Sequence, residues 1–360
     1  MIGVRKNCNF ERNETKPEPT TCFPRHGALN RPHVFPGTAP WTAKQFLCMI
    51  KALVKSFFLT FIMLSVCFPI CASEPPGTVF PDADKVVAQR ILNALWKEKS
   101  ESMKSSGSQT GDTFSKLILS AAGKLAGTPY AGGTLDSEWE GEQMRIFLTR
   151  TDCILFVQTC ISLAQTVDSA TDDKDVSIER FASLLERSRY RKKGPPYSYS
   201  DRIHYTTEWL RREEGATLND ITIDLGGSQI DHPVSFMTSN ASRYPLLSDQ
   251  AINPDCESDL KAIRATEEKL NREPMTTIPG SKLPEAAKGI RSGDIICFTT
   301  TVEGLDISHV AIAVVKNGEV FFIHASQKEG KVIVDKKPLI EYVNVHRNLS
   351  GVKILRPLGR

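Results

Sequence analysis

Residues 308–326 read SHVAIAVVKNGEVFFIHAS, two apolar runs joined through Lys316-Asn317-Gly318. Asn-Gly between two such runs is the strongest short-range signal of a two-residue β-hairpin, because both turn positions need a positive φ that Asn and Gly adopt at low cost. A turn of that length also fixes the register. With Lys316 opposite Glu319, Ala311 stands opposite His324 and His309 opposite Ser326. His309 and His324 then become diagonal neighbours on one face, roughly 7–8 Å apart at the backbone and within side-chain reach. Ala311 and Ala313 keep that face small, which leaves room for a helix end to pack on it.

Helical periodicity supplies a candidate partner. Cys153, Phe156, Val157, Cys160, Ile161 and Ala164 fall at helical spacing and predict a buried helix over 152–166. Thr151 or Asp152 serves as its N-cap, so Cys153 lies in the first turn, at the positive end of the macrodipole. A thiol there, beside an imidazole, is expected to have a lowered pKa and to act as a nucleophile. The bland alternatives are a first-turn cysteine that is simply buried and strand histidines that belong to the core.

Elsewhere the pattern predicts helices over 83–99 and 113–125, a short strand over 144–148, and strands from Gly293, over 308–315, 319–326 and 331–335. A short helix follows over 339–343. Between 187 and 250 the chain is irregular and aromatic, too long for a simple connection, and reads as an insertion folding over something.

The most apolar stretch is Ser56 to Ala72, preceded by Lys51 and Lys55. That is the layout of a secretory signal, with a candidate start at Met49 and small residues Ala72-Ser73 at its exit. Pro69 and the small-residue exit favour a cleaved signal (49–73) over an anchor; a membrane is a partner only if 56–72 stays uncleaved. Cys67 follows a poor lipobox. Residues 1–48, with six prolines, form a non-catalytic extension, and 74–360 the functional domain.

The full chain carries 45 Lys+Arg against 42 Asp+Glu, a net charge of +3, which excludes a basic nucleic-acid-binding face. The excess belongs to the first 73 residues, so the exported domain is mildly acidic. Five of the nine cysteines precede Glu74, leaving Cys153, Cys160, Cys256 and Cys297. In an oxidising compartment four could form two disulfides, whereas a nucleophilic Cys153 must stay free. Spacings such as C-x-x-C or H-E-x-x-H are absent, so a zinc site is discounted; no metal or other cofactor is expected.

Several local words carry a resemblance. Pro129-Tyr130-Ala131-Gly132-Gly133, Thr151-Asp152-Cys153, Gly293-Asp294-Ile295-Ile296, Ser308-His309-Val310-Ala311-Ile312 and Ile323-His324-Ala325-Ser326 occur in the order found in NlpC/P60 cell-wall cysteine peptidases. Arg202-Ile203-His204-Tyr205, Trp209, Ile221-Thr222, Leu225-Gly226-Gly227, Phe236-Met237 and Gly304-Leu305-Asp306 more narrowly resemble the N-acetylmuramoyl-L-alanine amidase-like family, formerly DUF1460. The similarity runs from about residue 86 to 343.

The resemblance implies an α+β fold with a papain-like NlpC/P60-type core, the nucleophile helix packed on an antiparallel β-sheet. It implies an exported cysteine hydrolase of peptidoglycan stem peptides, with peptidoglycan or muropeptides as the substrate. Cys153 would be the nucleophile, His309 the general base and His324 the orienting group, with Asp306 or Ser326 as alternatives. Tyr130 and Asp152 match positions of the pocket for the peptide's amino-terminal side. Arg202, Tyr205 and Trp209 belong to the segment expected to close the cleft, Arg202 by pairing with a substrate carboxylate; Tyr205 and Trp209 are equally readable as core aromatics. A γ-D-glutamyl-diamino-acid endopeptidase, an acyltransferase and an inactive wall-binding module are the rival functions.

Overall fold

A computed structural model describes residues 77–105, 113–136 and 141–359. The expected leader, the extension before it and the five leading cysteines lie outside these residues. Among the described residues no helix is long and apolar enough to cross a membrane.

The described residues hold seven helices of seven residues or more: α1 Asp82–Ser105, α2 Thr113–Lys124, α3 Cys153–Asp168, α4 Ile178–Arg189, α5 Thr206–Glu213, α6 Cys256–Leu270 and α7 Leu339–Val345. Eight strands accompany them: β1 Leu218–Asp220, β2 Ser228–Ile230, β3 Met275–Pro279, β4 Ile295–Thr300, β5 Ile307–Lys316, β6 Glu319–Ser326, β7 Lys331–Val334 and β8 Leu349–Pro357. The strands form one antiparallel sheet in the order β2-β3-β8-β4-β5-β6-β7, with β1 on β8. Helices plus antiparallel sheet is the α+β class that the sequence implied.

The β5–β6 hairpin turns at Asn317 (φ 52°) and Gly318 (φ 82°), both left-handed as a type I′ turn requires. Its register runs from Lys316↔Glu319 to Ile312↔Ile323, as predicted, and ends there. The expected continuation through Ala311 and His324 is absent because the two strands part.

Strand alternation sends side chains to two layers. On one face Ile295, Cys297, Val310, Ile312, Ile323 and Ala325 join the core built by α1 to α4, including Phe156 and Phe181. On the other, Ile296, Phe298, Ala311, Ala313 and Phe322 pack with Leu339 and Val343 of α7 and with Leu283 and Ala286. The Ala311/Ala313 face therefore does not receive the Cys153 helix. Its small residues make room for the rings of Phe298 and Phe322, 5.4 Å apart and edge-on, while α3 packs on the opposite face.

Other expectations need correction. Residues 144–148 form no strand: Arg145 makes a single parallel bridge to Val79, through Val79 N–H to Met144 O at 2.8 Å and Ile146 N–H to Val79 O at 2.9 Å. Burial of Met144, Ile146 and Leu148, not pairing, explains the apolar pattern there. Central strand β8 and helix α6 were not anticipated. Within β8, Gly351 allows a close approach: a Cβ there would lie 2.2 Å from the Ile278 carbonyl oxygen of β3.

α3 is capped at both ends. Asp152 is the N-cap, its side chain accepting from Leu155 N–H at 2.9 Å. At the other end Lys99 Nζ donates to the carbonyls of Val167, Asp168 and Ala170 at 2.8–2.9 Å. The cation satisfies carbonyls of the kind that every helix C-terminus leaves open.

Candidate functional site

The site forms where β5 and β6 part. In a two-residue hairpin the hydrogen-bonded pairs alternate, so after Ile312↔Ile323 the next would join Val310 to Ala325. That pair is not made, and the Val310 N–H is instead directed at the sulfur of Cys153. The nucleophile candidate thus faces the gap between the two strands from the N-terminus of α3, its sulfur at the N–H of Val310, the residue that follows His309 in β5.

His309 Nε2 and His324 Nδ1 are 2.7 Å apart, with the rings edge-on at 83°. The diagonal contact predicted from the hairpin is therefore present, although backbone pairing has already stopped. Phe298 lies under His309 at 5.6 Å, and Phe322 and Tyr342 lie edge-on to His324 at 5.0 and 6.2 Å. His324 is buried, and its Nε2 faces the Asp335 carboxylate at 3.3 Å, an ion-pair separation rather than a well-aligned hydrogen bond.

Asp335 was not singled out in the sequence. It follows β7, where Ile333 stands opposite His324, and a residue two positions on returns to the same face. The predicted strand over 331–335 contained that signal, but only pairing with β6 makes it visible. Asp306 and Ser326, the alternatives for the orienting role, are engaged elsewhere. Asp306 Oδ2 accepts from Thr207 N–H at 2.6 Å and Ser326 Oγ from Glu329 N–H at 3.2 Å.

Electrostatics differ from the expectation of a lowered thiol pKa. Burial, reinforced by Asp152, pushes the Cys153 thiol up to about 12, against the opposing Val310 and Ile154 N–H groups. Burial, with the neighbouring His324, pushes His309 down to about 3. Burial also lowers His324, opposed by Asp335. The resting pair is therefore thiol and neutral imidazole, because low dielectric disfavours both charged forms more than the helix terminus favours the thiolate. Cys160, Cys256 and Cys297 are free and buried.

Tyr130 and Asp152 are brought to Cys153 by backbone bonds that lace the glycine-rich loop to the start of α3. Ala131 N–H donates to Thr151 O at 2.9 Å and Thr151 N–H to Pro129 O at 3.0 Å. Burial raises the Tyr130 hydroxyl to about 12, with contributions from Cys153 and Asp152. Burial likewise raises the Asp152 carboxyl. Tyr342 of α7, also unanticipated, flanks the site and is pushed up to about 12 by burial, Asp335 and Cys153.

The remaining expected substrate contacts are internal. Arg202 is 5% exposed; its guanidinium pairs with Asp136 and, at 3.5 Å, with Glu142, and lies 4.9 Å over Tyr199. A substrate carboxylate would have to displace two internal ones. Tyr205 donates its hydroxyl to Glu267 at 2.6 Å and accepts from Met237 N–H at 2.8 Å. Trp209 donates Nε1–H to Ser188 Oγ at 2.8 Å and is 1% exposed. These three side chains brace the insertion, Tyr205 and Trp209 as the core aromatics of the alternative reading. His204, against the Tyr199 carbonyl at 2.9 Å, is a structural group of the same kind. Among the described residues no group of three or more His, Cys, Asp or Glu side chains is placed to hold a metal ion.

No curated protein matches the chain. An N-acetylmuramoyl-L-alanine amidase from Bacteroides uniformis is 27% identical, with a TM-score of 0.59 over 68% of this chain and 98% of that one. A Bacteroides fragilis protein provisionally called a xylanase is 29% identical, with a TM-score of 0.56 over 66% and 100% of the two chains. A Legionella pneumophila protein assigned to DUF1460, at 21% identity and a TM-score of 0.51 over 76% and 97%, shares the fold. The profile of the AmiA-like family, described as N-acetylmuramoyl-L-alanine amidase-like, matches residues 120–351, and the chain belongs to that family.

Proposed function

We propose that this protein is an exported cysteine hydrolase of the NlpC/P60 type that cleaves peptidoglycan at the amide between N-acetylmuramic acid and L-alanine. The reading is supported by the His309–His324 pair, whose facing nitrogens are 2.7 Å apart, by Cys153 at the N-terminus of α3 with its sulfur at the N–H of Val310, next in the chain to His309, and by membership of the amidase-like family. Residues 49–73 would act as the export signal, placing 74–360 outside the cytoplasm with the cell wall.

In the mechanism, Cys153 Sγ attacks the lactyl carbonyl while its proton passes to His309. Transfer during attack suits a pair that rests uncharged, since neither thiolate nor imidazolium has to exist beforehand. Backbone N–H groups at the start of α3, left open by the helix, face the developing oxyanion. Collapse of the tetrahedral intermediate breaks the C–N bond, and His309 returns the proton to the leaving amine of L-alanine. Water, deprotonated by His309, then hydrolyses the thioester. His324 holds the His309 ring in place throughout, as the third group of a triad does.

A second reading rests on Asp152 and Tyr130 beside the thiol. A carboxylate there suits a substrate with a free amino terminus, which would make the enzyme a γ-D-glutamyl-diamino-acid endopeptidase. Mass spectrometry of muropeptides after digestion separates the two: intact free stem peptides are the amidase product, shortened stems the endopeptidase product. If wild-type protein leaves both bonds intact, the hydrolase reading fails and an acyltransferase or binding module replaces it.

A further inference from the structure

We infer that Asp335 is a positioning residue that fixes the tautomers of both histidines, so that His309 presents a lone pair at Nδ1 to the Cys153 thiol. The inference deepens the proposed hydrolase mechanism and rests on it for its functional meaning.

Asp335 Oδ2 is 3.3 Å from His324 Nε2, while its other oxygen accepts from Lys337 N–H at 2.8 Å. A carboxylate can only accept, so the His324 nitrogen that faces it carries the hydrogen. A neutral imidazole has one N–H, which leaves His324 Nδ1 as an acceptor. The atom 2.7 Å from it is His309 Nε2, which must then be the donor. His309 Nδ1 is left unprotonated, and it is the ring nitrogen not engaged with His324. One half-buried carboxylate thereby selects one of several possible proton arrangements in two rings.

The surroundings leave little else to do this. His324 is faced by Phe322 from its own strand, His309 from β5, Tyr342 from α7 and Asp335 from the end of β7. His309 is faced by Phe298 of β4, with His346 beyond Tyr342, its ring 4.1 Å from that tyrosine. Asp335 is the carboxylate in contact with His324. It is itself held by its backbone N–H, which donates to Phe322 O at 2.9 Å.

During attack the Sγ–H bond breaks, the S–C bond forms and the proton arrives at His309 Nδ1. His309 is then doubly protonated, and its Nε2–H remains shared with His324 Nδ1. No proton leaves the rings until His309 Nδ1 delivers it to the leaving amine. The Asp335 carboxyl faces the new positive charge through His324.

Long-range nitrogen–proton NMR of the full chain labelled with 15N-histidine reads the tautomers directly at neutral pH, without any substrate. The expected result is an Nε2–H tautomer for both His309 and His324. In Asp335→Ala, His324 is expected to lose that preference and Cys153 to be alkylated by iodoacetamide about tenfold more slowly, while Asp335→Glu stays within about threefold of wild type. A proton on His309 Nδ1 in the wild type, or an Asp335→Ala variant alkylated at the wild-type rate, overturns the inference. Should Asp335→Ala not fold, the wild-type spectrum alone decides. Correct tautomers in a protein that cuts no muropeptide would sink the proposed function and leave this inference standing.

Discussion

The two faces of the sheet bring different things to the site. The face toward α3 is a conventional helix-on-sheet core, with Phe156 and Phe181 fully buried among aliphatic strand residues. The face toward α7 is aromatic, with Phe298, Phe322, Tyr342, His309 and His324 in edge-to-face contact. Cys153 belongs to the first layer and the histidines to the second, and strict alternation along β5 would keep them apart. β5 and β6 separate beyond Ile312↔Ile323, and there the N–H of Val310, next to His309, reaches the Cys153 sulfur. Under the proposed mechanism, the two layers of one sheet supply one reacting group because the sheet opens at that point.

The sharpest way to break this comparison is to remove the contribution of the first layer alone. Cys153→Ala is expected to lose at least about 10⁵-fold in muropeptide hydrolysis while its melting temperature stays near that of wild type. Residual activity within tenfold of wild type would mean that the two layers do not meet at a nucleophile.

Next in size are paired truncations, one per layer. Phe156→Ala and Phe322→Ala should each cost roughly 3–5 kcal/mol in denaturant unfolding. Only Phe322→Ala, whose ring lies against His324, should also disturb the histidine tautomers at denaturant concentrations where the protein is still folded. Equal disturbance by both variants would show that the layers are not separable.

A smaller effect is expected away from both histidines. Gly351→Ala places a methyl against the Ile278 carbonyl and should destabilise by about 1–3 kcal/mol. A neutral result would show that β3 and β8 can move apart at no cost.

The smallest effect is the loss of stability just below neutral pH, under about 1 kcal/mol between pH 7 and pH 6. His309 has a folded-state pKa of about 3, below the usual histidine value of about 6.5. Between those values the unfolded chain binds a proton that the folded chain refuses. Its contribution to stability is therefore full above about pH 6.5 and lost as pH falls toward 3, with a limiting slope of about 1.4 kcal/mol per pH unit. His204 and His324 act in the same direction; Glu142, raised to about 6 by burial, acts in the opposite one. The difference between wild type and His309→Asn isolates the His309 part, and identical acid limbs for the two proteins would contradict it. The same uncharged resting pair predicts that Cys153 alkylation climbs steadily with pH, in place of the flat profile of a preformed thiolate–imidazolium pair.

How much of this could be read from the sequence depended on the range of the interactions. Asn317-Gly318 specified a turn, a register and a histidine contact because each follows from residues close in the chain. The helix carrying Cys153 was legible for the same reason, and its cap narrowed to Asp152. β8 was not legible: Gly351, Lys353 and Arg356 interrupt its apolar pattern, and only distant partners explain them. Lys353 pairs with Asp220 and Arg356 with Asp294. Arg202 was seen as a charge, but Asp136 and Glu142, which occupy it, come from a separate loop. Asp335 and the opposite-sign shift of the Cys153 thiol share one cause, since both depend on burial that only the assembled sheet provides.

The attachment of α3 carries a mechanical consequence. A helix of 16 residues is about 24 Å long, and this one is pinned at its front by Asp152 and at its rear by the three carbonyls that meet Lys99. A beam fixed at both ends cannot slide along its axis. The sulfur at its tip is therefore held to a fixed depth in the gap between β5 and β6, and loosening the rear pin would appear as axial play at the front. Lys99, at the far end of α3, thereby sets a positional tolerance for the thiol, which the proposed mechanism would inherit.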